Sequence, residues 1–181
     1  MKRRIFIAIQ IPEELKNLAE VYLKPFLDNK NLRIPKKEGW HITLVFCGYL
    51  EEEKINKLKD TAEKIAQETK TFELIPDKII FAPPQRAPRM IWLTFKQSPE
   101  FLKISKKFAE FSRETREQVP HLTLARFEEY YFSNIKNLLL QEGVDLTKEA
   151  MPFSAKEIDI MESHLSRQGA EYKLLCRNYL K

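Results

Sequence analysis

Trp40-His41-Ile42-Thr43-Leu44-Val45-Phe46 and Pro120-His121-Leu122-Thr123-Leu124-Ala125-Arg126 each carry a His-x-Thr followed by apolar residues. The chain has 3 histidines in all, and the third is His164. Residues i and i+2 of a β-strand point to the same face. In each stretch the imidazole and the hydroxyl therefore project together, while Ile42 and Leu44, or Leu122 and Leu124, project to the other side. Each stretch offers one group that titrates near neutral pH and one hydroxyl donor. Two such stretches facing each other supply an acid, a base and two hydrogen-bond donors directed at an anion. That is a working set for phosphoryl chemistry without a metal.

Working outward, both halves of the chain show the same order of elements. Arg4 to Ile11 is nearly continuous in apolar residues, as in a strand covered on both faces. Pro12 then opens a helix, with Glu13 and Glu14 in its first turn. Leu15, Leu18, Ala19, Tyr22, Phe26 and Leu27 form its stripe, and Pro25 kinks or ends it. The first motif strand runs from Trp40 to Phe46, and Gly48 marks its end. A second helix, from about Glu51 to Glu68, buries Ile55, Leu58, Ala62 and Ile65. Phe72 to Phe81 is extended. The proline-rich loop from Ala82 to Arg89 cannot be regular helix or central strand, and it divides the halves. Met90 to Phe95 opens the second half as a strand. Ser98 and Pro99 then cap and start a helix carrying Leu102, Ser105, Phe108 and Ala109, with Phe101, Ile104 and Phe111 nearby. Pro120 to Phe127 is the second motif strand. A helix opens at Ser133, runs through Leu140 and stops at Gly143. Phe153 to Glu162 and Glu171 to Tyr179 are closing strands, joined by a turn at Ser166 to Gly169. An internal duplication places the two motif strands as mates across a pseudo-two-fold axis, with the histidines facing each other over a shared cleft.

Bulk properties fit one soluble domain. The chain has 181 residues, 43% of them hydrophobic, and a net charge of +5; the sequence pI is about 9.1. The positive excess suits a polyanionic partner but is common in cytosolic proteins. Two cysteines, Cys47 and Cys176, demand no disulfide, so a reducing, cytoplasmic setting is expected. The apolar run at Ile5 to Ile9 ends at Gln10 with no cleavage site, and no stretch reaches the length of a membrane span. There is no Cys-x-x-Cys, no His-Glu-x-x-His, no phosphate-binding glycine loop and no Gly-x-Ser-x-Gly elbow. Clustered metal ligands are absent as well.

Competing roles remain open for individual residues. His41 and His121 could each be a half-buried strand histidine, although two copies at matching places favour catalysis. Thr43 and Thr123 suit strands for their β-propensity alone; as phosphate donors they would share the histidines' face. Strict alternation puts Arg126 on the opposite face from His121, so it reaches the cleft only where the strand ends or bulges. There it would grip a phosphate through its bidentate fork. Gln85, Arg86 and Arg89 could hold a nucleic-acid backbone, though solvated loop charge is commoner. Trp40 points away from His41, into the core. Phe46 and Tyr49 are candidates for base stacking or for packing. His164 is a bystander.

These residues resemble the two-histidine (2H) phosphoesterase superfamily, and within it the prokaryotic RNA 2′,3′-cyclic phosphodiesterases, also described as 2′-5′ RNA ligases. The likeness covers essentially the whole chain. It rests on Arg4 to Ile9, on Trp40 to Gly48, on Arg89 to Leu93, on Pro120 to Arg126 and on Met161 to Ser166 with Gly169 and Tyr172. Trp40 stands where members usually have an aliphatic residue. The charged stretch from Arg113 to Glu117 replaces a longer segment. The resemblance implies an α+β fold: a bilobal, duplicated domain spanning 1–181, with two antiparallel sheets flanking a central cleft and helices outside. Lobe one covers about 1–82 and lobe two about 89–181, and the termini can cross between them. It implies His41 and His121 as catalytic residues, with Thr43, Thr123 and Arg126 binding substrate. No metal and no cofactor are expected. The implied substrate is an RNA or oligonucleotide end with a 2′,3′-cyclic phosphate, and the implied product is a 2′-phosphate. His41 would protonate the leaving 3′ oxygen and His121 would take a proton from water, although the sequence does not fix which ring does which. A monomer with no obligatory protein partner and no membrane attachment is expected. The alternatives are 2′-5′ ligation of tRNA halves and RNA-end binding without turnover.

Overall fold

The computed structural model describes residues 2–84, 87–114, 119–138, 143–166 and 169–181. Its first strand, β1, spans Arg3–Gln10, and α1 (Glu13–Leu23) follows. Pro25 falls just beyond α1, in a 3-10 turn at Lys24–Phe26, because a proline ring cannot be accommodated in an α-helix interior. Then come β2 (His41–Leu50), α2 (Glu52–Glu68), β3 (Phe72–Leu74) and β4 (Pro76–Ala82). The second half contains β5 (Met90–Phe95), α3 (Pro99–Lys107), β6 (His121–Arg126), α4 (Phe132–Ile135), β7 (Val144–Asp145), β8 (Phe153–Ala155), β9 (Glu157–Ser166) and β10 (Gly169–Tyr179).

The result is an α+β protein with one large antiparallel sheet and one small one. Eight strands are ordered β10-β9-β1-β2-β6-β5-β4-β7, and β3 pairs with β8 apart from them. The large sheet is two four-stranded halves whose paired register is a single pair of residues, Ile42 opposite Leu122. The chain interlocks these halves. β4 precedes the proline-rich loop but pairs with β5, and the closing hairpin of β9 and β10 lies against β1.

Alternation sorts β1 cleanly. Ile5, Ile7 and Ile9 are buried with the main core, which also holds Leu15, Ala19 and Leu23 of α1 and Ile55, Leu58, Ala62 and Ile65 of α2. Phe6 and Ala8 point the other way and pack with Met161, Phe46 and Tyr172 in a separate small cluster. Helices thus cover one face of the sheet, and the other face is free to form a cleft. No helix among the described residues is long and apolar enough to cross a membrane.

Several local expectations are revised. Gly48 does not end β2. It sits at φ 72° opposite Ile5, while the next register pair is Phe46 with Phe6, so Cys47 is an extra residue and the strand bulges and continues. Phe72 to Phe81 breaks at Ile75 into strands of two different sheets. α3 buries Phe101 and Ile104 with Phe108 and Phe111 beyond it, so its inward face is one residue out of phase with Leu102 and Ser105. Its capping is as expected, with Ser98 Oγ accepting from the Phe101 N–H at 3.2 Å. The helix expected from Ser133 is one α turn followed by a 3-10 turn at Lys136–Leu138, with Ile135 as α4's buried residue. The expected extent of that helix to Leu140, the Arg167-Gln168 tip of the closing turn, Gln85 and Arg86, and part of the Arg113–Glu117 stretch lie outside the described residues.

Gly143 holds φ 82°, and a Cβ there would lie 2.6 Å from Ile80 Cγ2 and 2.7 Å from the Ile79 carbonyl oxygen. It leads into β7, which pairs with β4 through Val144 and Ile79. Backbone cannot yield as a side-chain tip can. Gly143→Ala is expected to destabilise the fold by about 1–3 kcal/mol, read as an earlier urea midpoint with an unchanged slope.

Candidate active site

One residue too many in each motif strand builds the site. In β2, Val45 faces Ile7 and Thr43 faces Ala8, which leaves Leu44 unmatched. In β6, Ala125 faces Ile91 and Thr123 faces Trp92, which leaves Leu124 unmatched. Both strands therefore bulge at the third residue after the histidine, and both show the same burial: His, Thr and the residue after the bulged pair partly or fully accessible, the intervening residues buried. Each bulge resets the alternation. Residues that a flat strand would send to the core, Phe46 and Arg126, return to the cleft side.

The two strands run antiparallel through the Ile42–Leu122 pair, which brings the motifs together. His41, Thr43, His121, Thr123 and Arg126 all line one pocket. Arg4 and Phe6 of β1, Phe46 of β2, Ser163 of β9 and Tyr172 of β10 line it too. Of the other candidates, Trp40 is buried and its indole N–H donates to the Pro35 carbonyl at 3.0 Å. Arg89 and Tyr49 are exposed and lie outside the pocket. So does His164, whose Nε2 is 3.4 Å from Glu162 Oε2.

Each imidazole is fixed in the same way. His41 Nδ1 lies 2.7 Å from the Gly39 carbonyl oxygen, and His121 Nδ1 lies 2.7 Å from that of Val119. A carbonyl can only accept, so both Nδ1 atoms carry the proton in these bonds. Each neutral ring then has its lone pair at Nε2. Aromatic rings complete the mounts. Phe6 stacks on His41 with centroids 4.8 Å apart and planes at 28°, and Tyr172 meets the same ring edge-on at 5.0 Å. Trp92 stacks on His121 at 3.8 Å and 23°. Gly39 leaves room for Tyr172: a Cβ at position 39 would lie 3.0 Å from the tyrosine ring.

The surroundings hold both rings neutral. Burial pushes His41 down to about 4, against the hydrogen bond to Gly39, and the charges of His121 and Arg126 push it further down. Burial also lowers His121, with Arg126 adding to the effect and the Val119 carbonyl and Glu114 opposing it. Arg126 is itself lowered by burial, with nearby Arg4 contributing, and its Nη1 lies 3.2 Å from Met90 Sδ. The site is thus a small, positively biased cleft with two titratable rings, two hydroxyls and a guanidinium, an arrangement suited to an anion that exchanges protons. Among the described residues, no three of His, Cys, Asp and Glu are grouped to hold a metal ion.

Sequence reasoning missed Arg4, Phe6, Trp92, Ser163 and Tyr172 as parts of the site. A signal was present in β1, where Arg4, Phe6 and Ala8 alternate with Ile5, Ile7 and Ile9. The alternation was hidden because Phe6 and Ala8 are themselves apolar.

Comparison with known proteins agrees with this architecture. Residues 5–92 match the family described as LigT like Phosphoesterase. A Bacillus subtilis protein named RNA 2′,3′-cyclic phosphodiesterase is 30% identical over 173 residues, covering 89% of this chain and 84% of that protein. One of the same name from Methanocaldococcus jannaschii is 27% identical over 181 residues, covering 95% and 98%. The crystal structure of E. coli LigT complexed with NADP+ superposes with a TM-score of 0.77 over 99% of both chains at 23% identity, a likeness of fold. The chain belongs to the LigT-like phosphoesterase family, within the two-histidine superfamily.

Proposed function

We propose that this chain opens the 2′,3′-cyclic phosphate at the 3′ end of an RNA and leaves a 2′-phosphate, with His41 and His121 as the acid–base pair and without a metal ion. The observation that carries this reading is the matched pair of imidazoles in one pocket, each with Nδ1 bonded to a carbonyl and Nε2 left as the working nitrogen. The relatives named for this activity support the substrate class.

In the proposed reaction, water attacks phosphorus and the bond to the 3′ oxygen breaks. One neutral imidazole takes the proton from water at Nε2. The other, as imidazolium, gives its Nε2 proton to the departing 3′ oxygen. Each ring ends in the form in which the other began, and proton exchange with solvent resets the pair. Thr43 and Thr123 donate to the non-bridging oxygens, and Arg126 offsets the charge that builds on them. His121 lowers the readiness of His41 to hold a proton, and Arg126 lowers that of both rings. An anionic phosphate between them reverses that bias and lets one ring charge.

Hydrolysis of a 2′,3′-cyclic-ended oligonucleotide in EDTA is the direct test. His41→Ala and His121→Ala should each reduce turnover by about 100- to 10,000-fold. Full activity in either variant, or activity abolished by the chelator, refutes the mechanism. Oligonucleotide binding with no product at any pH points instead to an RNA-end binding protein. Thr43→Val and Thr123→Val keep the strand's shape and remove one donor each. Each should lower kcat by about 100-fold with a smaller change in KM.

A titration tests the electrostatics. Burial holds His41 near 4, below its unfolded value of about 6.5. Between those two values the unfolded chain binds the extra proton, so this residue's contribution to stability is lost as pH falls through that window. Nuclear magnetic resonance of the ring should place its midpoint near 4 and show it rising when inorganic phosphate saturates the site. An unmoved midpoint contradicts the proposed coupling.

A further inference from the structure

We propose that Arg4 is a second phosphate-binding residue, which takes the internal phosphodiester on the 5′ side of the reactive end and gives the protein a preference for oligonucleotides over mononucleoside cyclic phosphates. This rests on the hydrolase reading above and adds a second contact point to it.

Arg3 and Arg4 are neighbours in sequence with opposite surroundings. Arg3 faces away from the cleft and is fully matched, with Nη2 at 2.8 Å from Glu162 Oε2 and Nη1 at 3.0 Å from Glu52 Oε2. Arg4 faces the cleft and makes no ion pair with a carboxylate among the described residues. Its Nη1 donates to Ser163 Oγ at 3.0 Å, and its Cζ lies 4.8 Å from the centre of the Phe46 ring. A hydroxyl and an aromatic face fix the guanidinium's place and leave its charge unanswered. Most of its five N–H donors remain for a ligand. A half-buried guanidinium held in this way suits an anion.

Register places Arg4 toward the Phe46 end of the pocket that both arginines line. The two His-x-Thr motifs centre on the Ile42–Leu122 pair. Arg126 lies beyond the His41 end of that centre. Phe46 is its symmetry mate at the other end, and Arg4 sits over Phe46. The second half of the protein carries its arginine on the motif strand. The first half has an aromatic residue there and brings a cation from the adjacent strand. In the proposed reaction two imidazoles, two hydroxyls and Arg126 already serve the central phosphorus. A cation past Phe46 serves the next charge along. A 2′,3′-cyclic phosphate ends its strand, so that next charge is the phosphodiester on the 5′ side.

The experiment compares a dinucleotide ending in a 2′,3′-cyclic phosphate with the matching mononucleoside 2′,3′-cyclic phosphate, in wild type and in Arg4→Gln. The ratio of kcat/KM for the two substrates should fall by about 10- to 100-fold in the variant, the effect of losing a hydrogen bond to a charged group. A dinucleotide whose linkage is a neutral methylphosphonate should show the same loss in wild type and no further loss in Arg4→Gln. Ser163→Ala, which frees the guanidinium but keeps its charge, should give a smaller fall in the same ratio. Equal losses on both substrates place Arg4 on the reactive phosphate, and no loss makes it a packing residue; either overturns the proposal. Calorimetric binding of the dinucleotide 2′-phosphate and the nucleoside 2′-monophosphate gives the same ratio without turnover. If wild type cleaves neither substrate, the hydrolase reading falls, while the binding ratio still decides the role of Arg4.

Discussion

A β-strand shows alternate residues to each face, and both motif strands break that rule at the third residue after the histidine, Leu44 and Leu124. Everything in the cleft depends on this. Before the bulge, the histidine and threonine share the open face. After it, an uninterrupted strand would bury the fifth residue past the histidine. The extra leucine returns Phe46 to the cleft in one half and Arg126 in the other. The energetic cost is a disrupted stretch of ladder, and it is offset because Leu44, Val45, Leu124 and Ala125 are all packed in the core.

The second constraint is the carbonyl two residues before each histidine. Gly39 and Val119 turn their oxygens onto Nδ1, so the tautomer follows from backbone geometry rather than from a carboxylate partner. A carboxylate there would hold the rings as imidazolium. A neutral acceptor leaves burial free to keep them uncharged. Phe6 and Trp92 hold the ring planes, and the tight fit of Tyr172 against Gly39 restrains the His41 ring from its edge. The polar chemistry is thus positioned almost entirely by apolar packing and main chain.

The pairing of the two motifs was legible in the sequence because identical short patterns at matching places in two similar halves need a common cause. Helices α1 and α2 were legible for the ordinary reason that their apolar stripes repeat at helical spacing. Arg126 shows where such reasoning stops. Alternation assigned it to the wrong face, and only a bulge could bring it back; His121-Leu122-Thr123-Leu124-Ala125-Arg126 contains no glycine or proline to announce one. The same blindness applied to Gly48, whose positive φ marks a bulge within β2 rather than its end. Ser163 and Tyr172 were invisible for another reason. They reach the cleft by long-range pairing of β9 with β1 and of β10 with β9, a contact that local patterns do not encode.

The two half-sheets share one rung, Ile42 with Leu122, and each carries its own histidine, threonine, stacking ring and main-chain acceptor. The chain crosses between them elsewhere, with β3 pairing with β8, and one hydrophobic core lies behind both. At matching places after the two bulges, one half presents the aromatic surface of Phe46 to the cleft and the other the charge of Arg126.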